Sequence, residues 1–544
     1  MEKINGQLFK NMVLNGCYLL HNQHQEIDAL NVFPVPDGDT GTNMSLTFSS
    51  GAKEIENLDS DDIYQISKKL SKGLLMGARG NSGVILSQIF RGFSMYLEGK
   101  TEIDCVDMAK AFNNGAKIAY KAVEGTILTV IRESAEAVVK YAKKGKTIED
   151  VFSYFVKQAE ESLERTPELL PVLKEVGVVD SGGAGLVLIL TGFMSAIAGD
   201  EIQKVDVFEH VEKAASEVET GEEGFGYCTE FILRLEENLV DKFSEDQLKN
   251  ELARIPGDCI VVVQDEDIVK VHVHTLKPGE ALNLGQRFGE FIKLKIENMQ
   301  EQHNSILESK KASTTPKEEP KKAELKELGL ISVAAGSGIK EMFMELNCDY
   351  VVSGGQTMNP STEDLVQAIR DVNAKTVVVL PNNSNIIMAA SQAATVLEGE
   401  IDVRVVPTKT IPQGLSACIM FNPEADIDST LEDMTEAIAN VKTGQVTFAI
   451  KDTNIDGVDI KANDYMAMVE KSIVACVPNK VEACKETLNH LMSEDDEIIT
   501  LIAGEDVSDE ELKEVEAFVE ENSDAELEVR VGKQPVYSFI IGVE

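Results

Sequence analysis

The stretch Pro34–Met44, PVPDGDTGTNM, sets the reading of this chain. Asp37 and Asp39 stand two apart around one glycine, two prolines stiffen the approach, and small polar residues with a second glycine follow. Such a sequence makes a poor helix and a poor strand, but a good rigid loop for holding a hard cation by oxygen ligands. Mg2+ is commonly held by one or two carboxylates plus phosphate oxygens, so the loop points to a metal–nucleotide site. An Asx-type turn capping the next helix would use the same residues, and this stretch alone does not choose between the two.

Three further corners have related chemistry. In MGARGNSGVILSQIFRGF (76–93), Gly77, Gly80 and Gly83 let backbone approach a ligand closely, and Arg79 offers a forked charge. Ser82 is placed to N-cap a helix starting near Val84. In VVDSGGAGLVLILTGF (178–193), Asp180 and Ser181 precede a glycine pair and a strongly apolar helix; in EGTILTVIRESAEA (124–137), Gly125 and Thr126 open another. A helix N-terminus presents free N–H groups and partial positive charge to a phosphate. Tight turns and ordinary N-caps are the plain alternative at each corner. The chain contains neither G-x-x-x-x-G-K-[ST] nor a strand-linked G-x-G-x-x-G, so a nucleotide here would sit on a helical scaffold.

With 544 residues, the chain exceeds one core, and about three domains is the natural expectation. The formal net charge of −42 argues against nucleic acid, which needs a basic stripe, and requires a local cation wherever an anion such as ATP binds. No run of about 18 apolar residues stands out, so no integral membrane segment is expected. The start, MEKINGQLFKNMVLNG, reads as an amphipathic helix, and eight cysteines lack framework spacing. These features together read as a soluble cytoplasmic protein with reduced thiols.

Three-to-four apolar spacing runs through residues 1–202, predicting an all-α domain. Residues 203–309 alternate strand and helix signals, an α+β middle domain. KKASTTPKEEPKKAELKE (310–327) reads as a linker, and residues 328–544 as an α/β domain. In the middle domain VKVHVHT places His272 and His274 on one strand face, with Cys228 on another strand. Two histidines and a thiolate suit Zn2+, and an ordinary half-buried strand pair would look the same.

PVPDGDTGTNM, MGARGNSGVILSQIFRGF, EGTILTV and VVDSGGAGL resemble the nucleotide-binding L domain of dihydroxyacetone kinases. Through KVHVHT, SGGQTMNPSTEDL and PTKTIPQGLSA, the whole chain resembles the ATP-binding subunit family of bacterial fatty acid kinase. The resemblance implies a barrel of antiparallel helices whose rim loops hold ATP and Mg2+. Asp37 and Asp39 become metal ligands; Thr42, Asn43, Asn81, Ser82 and Gly83 lie near the phosphates; Thr126 and Asp180 surround the rest of the nucleotide. Arg79 is a candidate for transition-state charge, or for a structural ion pair. Dihydroxyacetone kinases carry a third aspartate where this chain has Val32, leaving Asn31, Asp28 or water to stand in. The resemblance also implies a zinc at Cys228, His272 and His274, and a homodimer. SGGQTMNPSTEDL and LPNNSNI resemble the DegV-type fatty-acid-binding fold, which the resemblance pairs with a separate DegV-type carrier; the C-terminal domain is then a docking copy.

The function expected is transfer of the ATP γ-phosphate to a fatty acid held on that carrier, giving acyl-phosphate for phospholipid synthesis. The rivals are a dihydroxyacetone-kinase-like enzyme acting on a small hydroxy compound and a non-catalytic nucleotide-binding regulator. His303 and His490 are the only histidines after residue 275, and neither sits in a ketone-holding motif, which weighs against the first rival.

Overall fold

The computed structural model describes residues 2–31, 38–119, 124–204, 227–235, 239–265, 268–298, 325–355, 359–449, 452–455, 457–470 and 472–544. The chain divides into two compact units, residues 1–204 with 324–544, and residues 205–323.

The first unit opens with a helical barrel. Its long helices are α1 (Gly6–Leu30), α2 (Thr40–Glu56), α3 (Ile63–Gly77), α4 (Gly80–Tyr96), α5 (Cys105–Ala119), α6 (Ile127–Tyr141) and α7 (Ile148–Glu164). Two short helices, α8 (Thr166–Leu169) and α9 (Pro171–Val176), lead to α10 (Ser181–Ala198), which packs on both α7 and α1 and closes the ring. Neighbours run antiparallel: Gly77 meets Ser50 and Gly73 meets Glu54, while Asn15 bonds the Asp200 carbonyl and Leu20 reaches Gly185. Bare backbone lets α1 and α10 touch, since a Cβ on Gly192 would strike Gly16. Phe9, Phe48, Phe90, Phe93, Phe112, Phe152, Phe155 and Phe193 fill the interior. Their rings meet at centroid distances such as 5.2 Å for Phe9–Phe93 and 4.8 Å for Phe93–Phe112. Such pairs add about 0.5–1.5 kcal/mol each beyond simple burial. The sequence shows no obvious membrane-length apolar run, yet α10 is long and apolar enough to qualify. Most of it is buried against its neighbours in the barrel, as suits a core helix.

The second unit holds a four-stranded antiparallel sheet in the order β2 (Gly257–Asp265), β3 (Ile268–Thr275), β1 (Tyr227–Leu235), β4 (Gly289–Asn298). Helices α11 (Glu245–Leu252) and α12 (Pro278–Gly285) supply Leu248, Leu252 and Ala281 to a core with Phe231, Leu233, Val262, Val269, Val271 and Val273.

The C-terminal part of the first unit is α/β. β6 (Tyr350–Ser353), β5 (Lys326–Ala334), β7 (Ala374–Leu380) and β8 (Asp402–Val405) form a parallel sheet in that order. Helices α13 (Ser337–Glu345), α14 (Thr362–Asp371), α15 (Ile387–Val396), α16 (Ile411–Ile419) and α17 (Ile427–Asn440) flank it. Strands β10 (Thr453–Ile455) and β11 (Val458–Ile460) pair as a small hairpin, and a mixed six-stranded sheet runs in the order β13 (Ser472–Val477), β12 (Tyr465–Val469), β9 (Lys442–Phe448), β16 (Tyr537–Val543), β14 (Ile498–Ala503), β15 (Glu526–Val531). Barrel and parallel sheet share one core: Ala78 and Val84 pack with Ile331, Leu365, Ile369 and Ala390. The fold class is therefore an all-α barrel, an α+β middle unit and an α/β C-terminal domain.

Candidate nucleotide and cation site

Because neighbouring barrel helices alternate in direction, α2, α4, α6 and α10 all begin at one rim. The N-cap residues of these four helices are Asp39, Arg79, Thr126 and Asp180. Four helix N-termini turned to one rim collect free N–H groups and positive partial charge there.

Asp39 occupies the N-cap of α2 but makes no side-chain capping bond. Asp28, from α1, does that work: Oδ1 accepts from the Thr42 N–H at 3.0 Å and Oδ2 from the Thr42 hydroxyl at 2.7 Å. The carboxylate of Asp39 is buried and takes a 2.6 Å hydrogen bond from Asn359 Nδ2 of the C-terminal domain. The simple capping-turn reading therefore fails at Asp39. Asp28, considered as a substitute metal ligand, accepts one hydrogen bond on each oxygen from Thr42. Asn31 is buried at the C-cap of α1. Asp37 and Val32 lie outside the described residues.

The α3–α4 corner packs directly on this loop. Gly80 has φ +58, and a Cβ there would sit 2.8 Å from Asn43 Nδ2, so only glycine lets the corner close. Asn43 is buried, its N–H bonded to the Asp39 carbonyl at 2.8 Å. Helix α4 begins at Gly80 with Arg79 at the N-cap, so Ser82 lies in the first turn, not at the cap expected from sequence. The Arg79 carbonyl already accepts the Gly83 N–H at 3.1 Å, so the helix begins before the serine. Gly83 packs against Thr47, whose hydroxyl also accepts the Arg79 N–H. Arg79 Nη1 donates to the Asn359 carbonyl at 2.8 Å and stands 3.7 Å from Asp364. Asn81 Nδ2 donates to Asn385 Oδ1 at 3.0 Å.

Across the rim, Asp180 Oδ2 accepts the Gly183 N–H at 2.7 Å. Burial lifts the Asp180 carboxyl to about 6, against the pull of N–H donors from Gly183 and Ile127. That shared acceptor brings the α6 and α10 corners together, so Thr126 and Asp180 are near neighbours. Gly185 of α10 in turn packs on Met44 of α2, linking this corner to the Asp39 loop.

A hard cation fits these residues. The buried Asp39 carboxylate makes no capping bond, and the buried amide oxygens of Asn359 and Asn81 have no hydrogen-bond partner among the described residues. Asn359 was not singled out by sequence, although it lies inside the quoted SGGQTMNPSTEDL; its partner is 320 residues away.

In the middle unit, backbone register sets Cys228 opposite His274 and Glu230 opposite His272. The side chains of Cys228, His272 and His274 lie outside the described residues. Among those that are described, no group of three His, Cys, Asp or Glu side chains is placed to hold a metal. The C-terminal domain also contains a cavity of about 440 Å³, lined by residues of both sheets and their loops, including Ser353, Asn382, Lys409, Gln445 and Tyr537.

Residues 34–195 match the DAK2 domain. Residues 224–306 match the middle domain, and residues 329–544 the C-terminal domain, of the FakA-like fatty acid kinase family. Protein YloV of Bacillus subtilis is 47% identical over 562 residues, covering 100% of both chains. Among solved structures, a DegV family protein from Corynebacterium glutamicum is 14% identical, with TM-score 0.32, over 40% of this chain and 96% of that one. A dihydroxyacetone kinase from C. freundii in complex with AMP-PNP and Mg2+ is 19% identical, with TM-score 0.28, over 36% of this chain and 35% of that one. On the three domain matches and the full-length relative, the chain belongs to the FakA-like fatty acid kinase family.

Proposed function

We propose that this protein transfers the γ-phosphate of ATP to the carboxylate of a fatty acid held on a separate DegV-type carrier, giving acyl-phosphate for phospholipid synthesis. The observation that carries this reading is Asp39: a buried carboxylate at a helix N-terminus, relieved of capping by Asp28, beside the Gly80 corner.

In this account Asp37 and Asp39 hold Mg2+, which neutralises charge on the phosphates. The first-turn N–H groups of α2 and α4, with Thr42, Asn43, Asn81, Ser82 and Gly83, cradle phosphate oxygens. Thr126 and Asp180 border the rest of the nucleotide. Arg79 contributes positive charge from the α4 N-cap. The acceptor carboxylate is already ionised near neutral pH, so alignment and charge neutralisation suffice and no general base is needed. The net charge of −42 makes a local cation a requirement of any such site. We assign the carrier, and not this chain, the role of delivering the lipid, in the cytoplasm where ATP and reduced thiols coexist. A homodimer and a Zn2+ at Cys228, His272 and His274 belong to the same proposal, the latter supported by the β1–β3 register.

The test is incubation with ATP, Mg2+ and oleate-loaded carrier, trapping product with hydroxylamine. Hydroxamate that depends on carrier and on Asp39 is expected; none above a no-enzyme control would overturn the reading.

A further inference from the structure

The rim lies against the C-terminal domain through a continuous polar seam. Thr362 N–H bonds the Ala78 carbonyl at 3.1 Å, Arg79 bonds the Asn359 carbonyl, and Gln392 Nε2 bonds the Leu75 carbonyl at 2.8 Å. Gln392 Oε1 accepts from Gln88 at 2.9 Å, so that residue serves the seam alone. Asn359 is different. It is only 2% exposed, its Nδ2 is spent on Asp39, and its Oδ1 has no hydrogen-bond partner among the described residues. A buried amide oxygen without a partner is costly, and such groups persist where a water, an ion or a ligand satisfies them. A Cβ on Gly80 would lie 3.7 Å from Asn359 Nδ2, so the amide sits at the same corner as Asn43.

We infer that Asn359, from the C-terminal domain, is a positioning residue of the cation site in the helical barrel. Its Nδ2 fixes the rotamer of Asp39 and its Oδ1 accepts a hydrogen bond from water or a nucleotide hydroxyl bound beside the cation. This rests on the nucleotide reading above and deepens it: the site is built from two domains, and the C-terminal domain cannot leave without loosening it. Side chains that orient a metal's ligands typically change metal affinity by about 10–100-fold when removed.

The test uses the full-length protein and measures the Mg2+ concentration that half-saturates AMP-PNP binding by calorimetry, with thermal unfolding alongside. Asn359→Leu is expected to raise that concentration by about tenfold or more. Gln392→Leu, which breaks the same seam away from the cation, is expected to lower the unfolding temperature without moving it. Asn359→Asp places a second carboxylate against Asp39; it is expected to unfold earlier than wild type without Mg2+ and to recover when Mg2+ is added. If wild type does not bind Mg2+–AMP-PNP, the nucleotide reading itself fails, and this inference with it. If wild type binds but Asn359→Leu leaves the Mg2+ requirement unchanged, or Gln392→Leu shifts it equally, the inference alone is overturned. Should Asn359→Leu not fold, Asn359→Asp decides: recovery with Mg2+ supports the role, and equal instability with and without Mg2+ overturns it.

Discussion

Asn359 donates to Asp39 at 2.6 Å across 320 residues of sequence, joining the C-terminal domain to the carboxylate that begins α2. Removing the acceptor strands the amide in the interior. Asp39→Ala is therefore expected to cost about 1–3 kcal/mol in urea unfolding, and to reduce phosphoryl transfer by about 100-fold or more. Asp39→Asn, which keeps the shape, should recover much of the stability and none of the transfer. Equal transfer by wild type and Asp39→Ala would remove Asp39 from the site.

Asp28 separates capping from cation binding. Its two oxygens hold the Thr42 N–H and hydroxyl, so Asp28→Ala is expected to destabilise the protein by about 1–2 kcal/mol. Because its carboxylate is spent on Thr42, the Mg2+ dependence of nucleotide binding should keep its form once the loss of fold is accounted for. A Mg2+ requirement raised as far as by Asp39→Ala would instead make Asp28 a ligand.

Much of the barrel was legible in the sequence. Helices such as α3, α6 and α7 bury one stripe, and a buried stripe writes itself as three-to-four spacing. The rim corners were legible too, because glycine beside Asp, Asn or Ser marks a helix start. The start of α4 differs from the one Ser82 suggests because the Arg79 carbonyl takes the first intrahelical bond, from Gly83, leaving Ser82 inside the first turn. α10 was not seen as membrane-length because its small residues, Gly182, Gly183 and Gly185, dilute an otherwise apolar run that packs tightly inside. The Asn359–Asp39 bond left no local trace at all, since a pairing across domains imposes no periodicity on either segment.

Gly80 is the point of the α3–α4 corner where the backbone takes a left-handed conformation. With φ +58 and Asn43 Nδ2 in the path of a Cβ, Gly80→Ala is expected to cost about 1–3 kcal/mol. Nucleotide affinity should fall further than stability predicts, because Asn43 must shift. Calorimetric titration with AMP-PNP beside a denaturation curve checks both.

Asp180 predicts a pH signature. Its carboxyl sits at about 6 in the folded protein against an ordinary 3.8, so the native state holds a proton that the unfolded chain has released. Its contribution therefore favours folding at low pH and is lost as pH rises from about 4 to about 6, by up to about 3 kcal/mol over the whole window. Asp180→Asn keeps the N-cap and removes the titration, so the nucleotide-free variant should show a flatter stability curve across that window. An unchanged slope would show that Asp180 is not the group responsible.

The central claim, that an acyl carboxylate receives the phosphoryl group, is tested most directly by 31P NMR of a reaction containing ATP, Mg2+ and carrier loaded with carboxyl-13C oleate. The account predicts a new phosphorus resonance split by the 13C label, absent without carrier and absent with Asp39→Ala. ATP consumed to inorganic phosphate alone, or a new resonance that the label does not split, would contradict it.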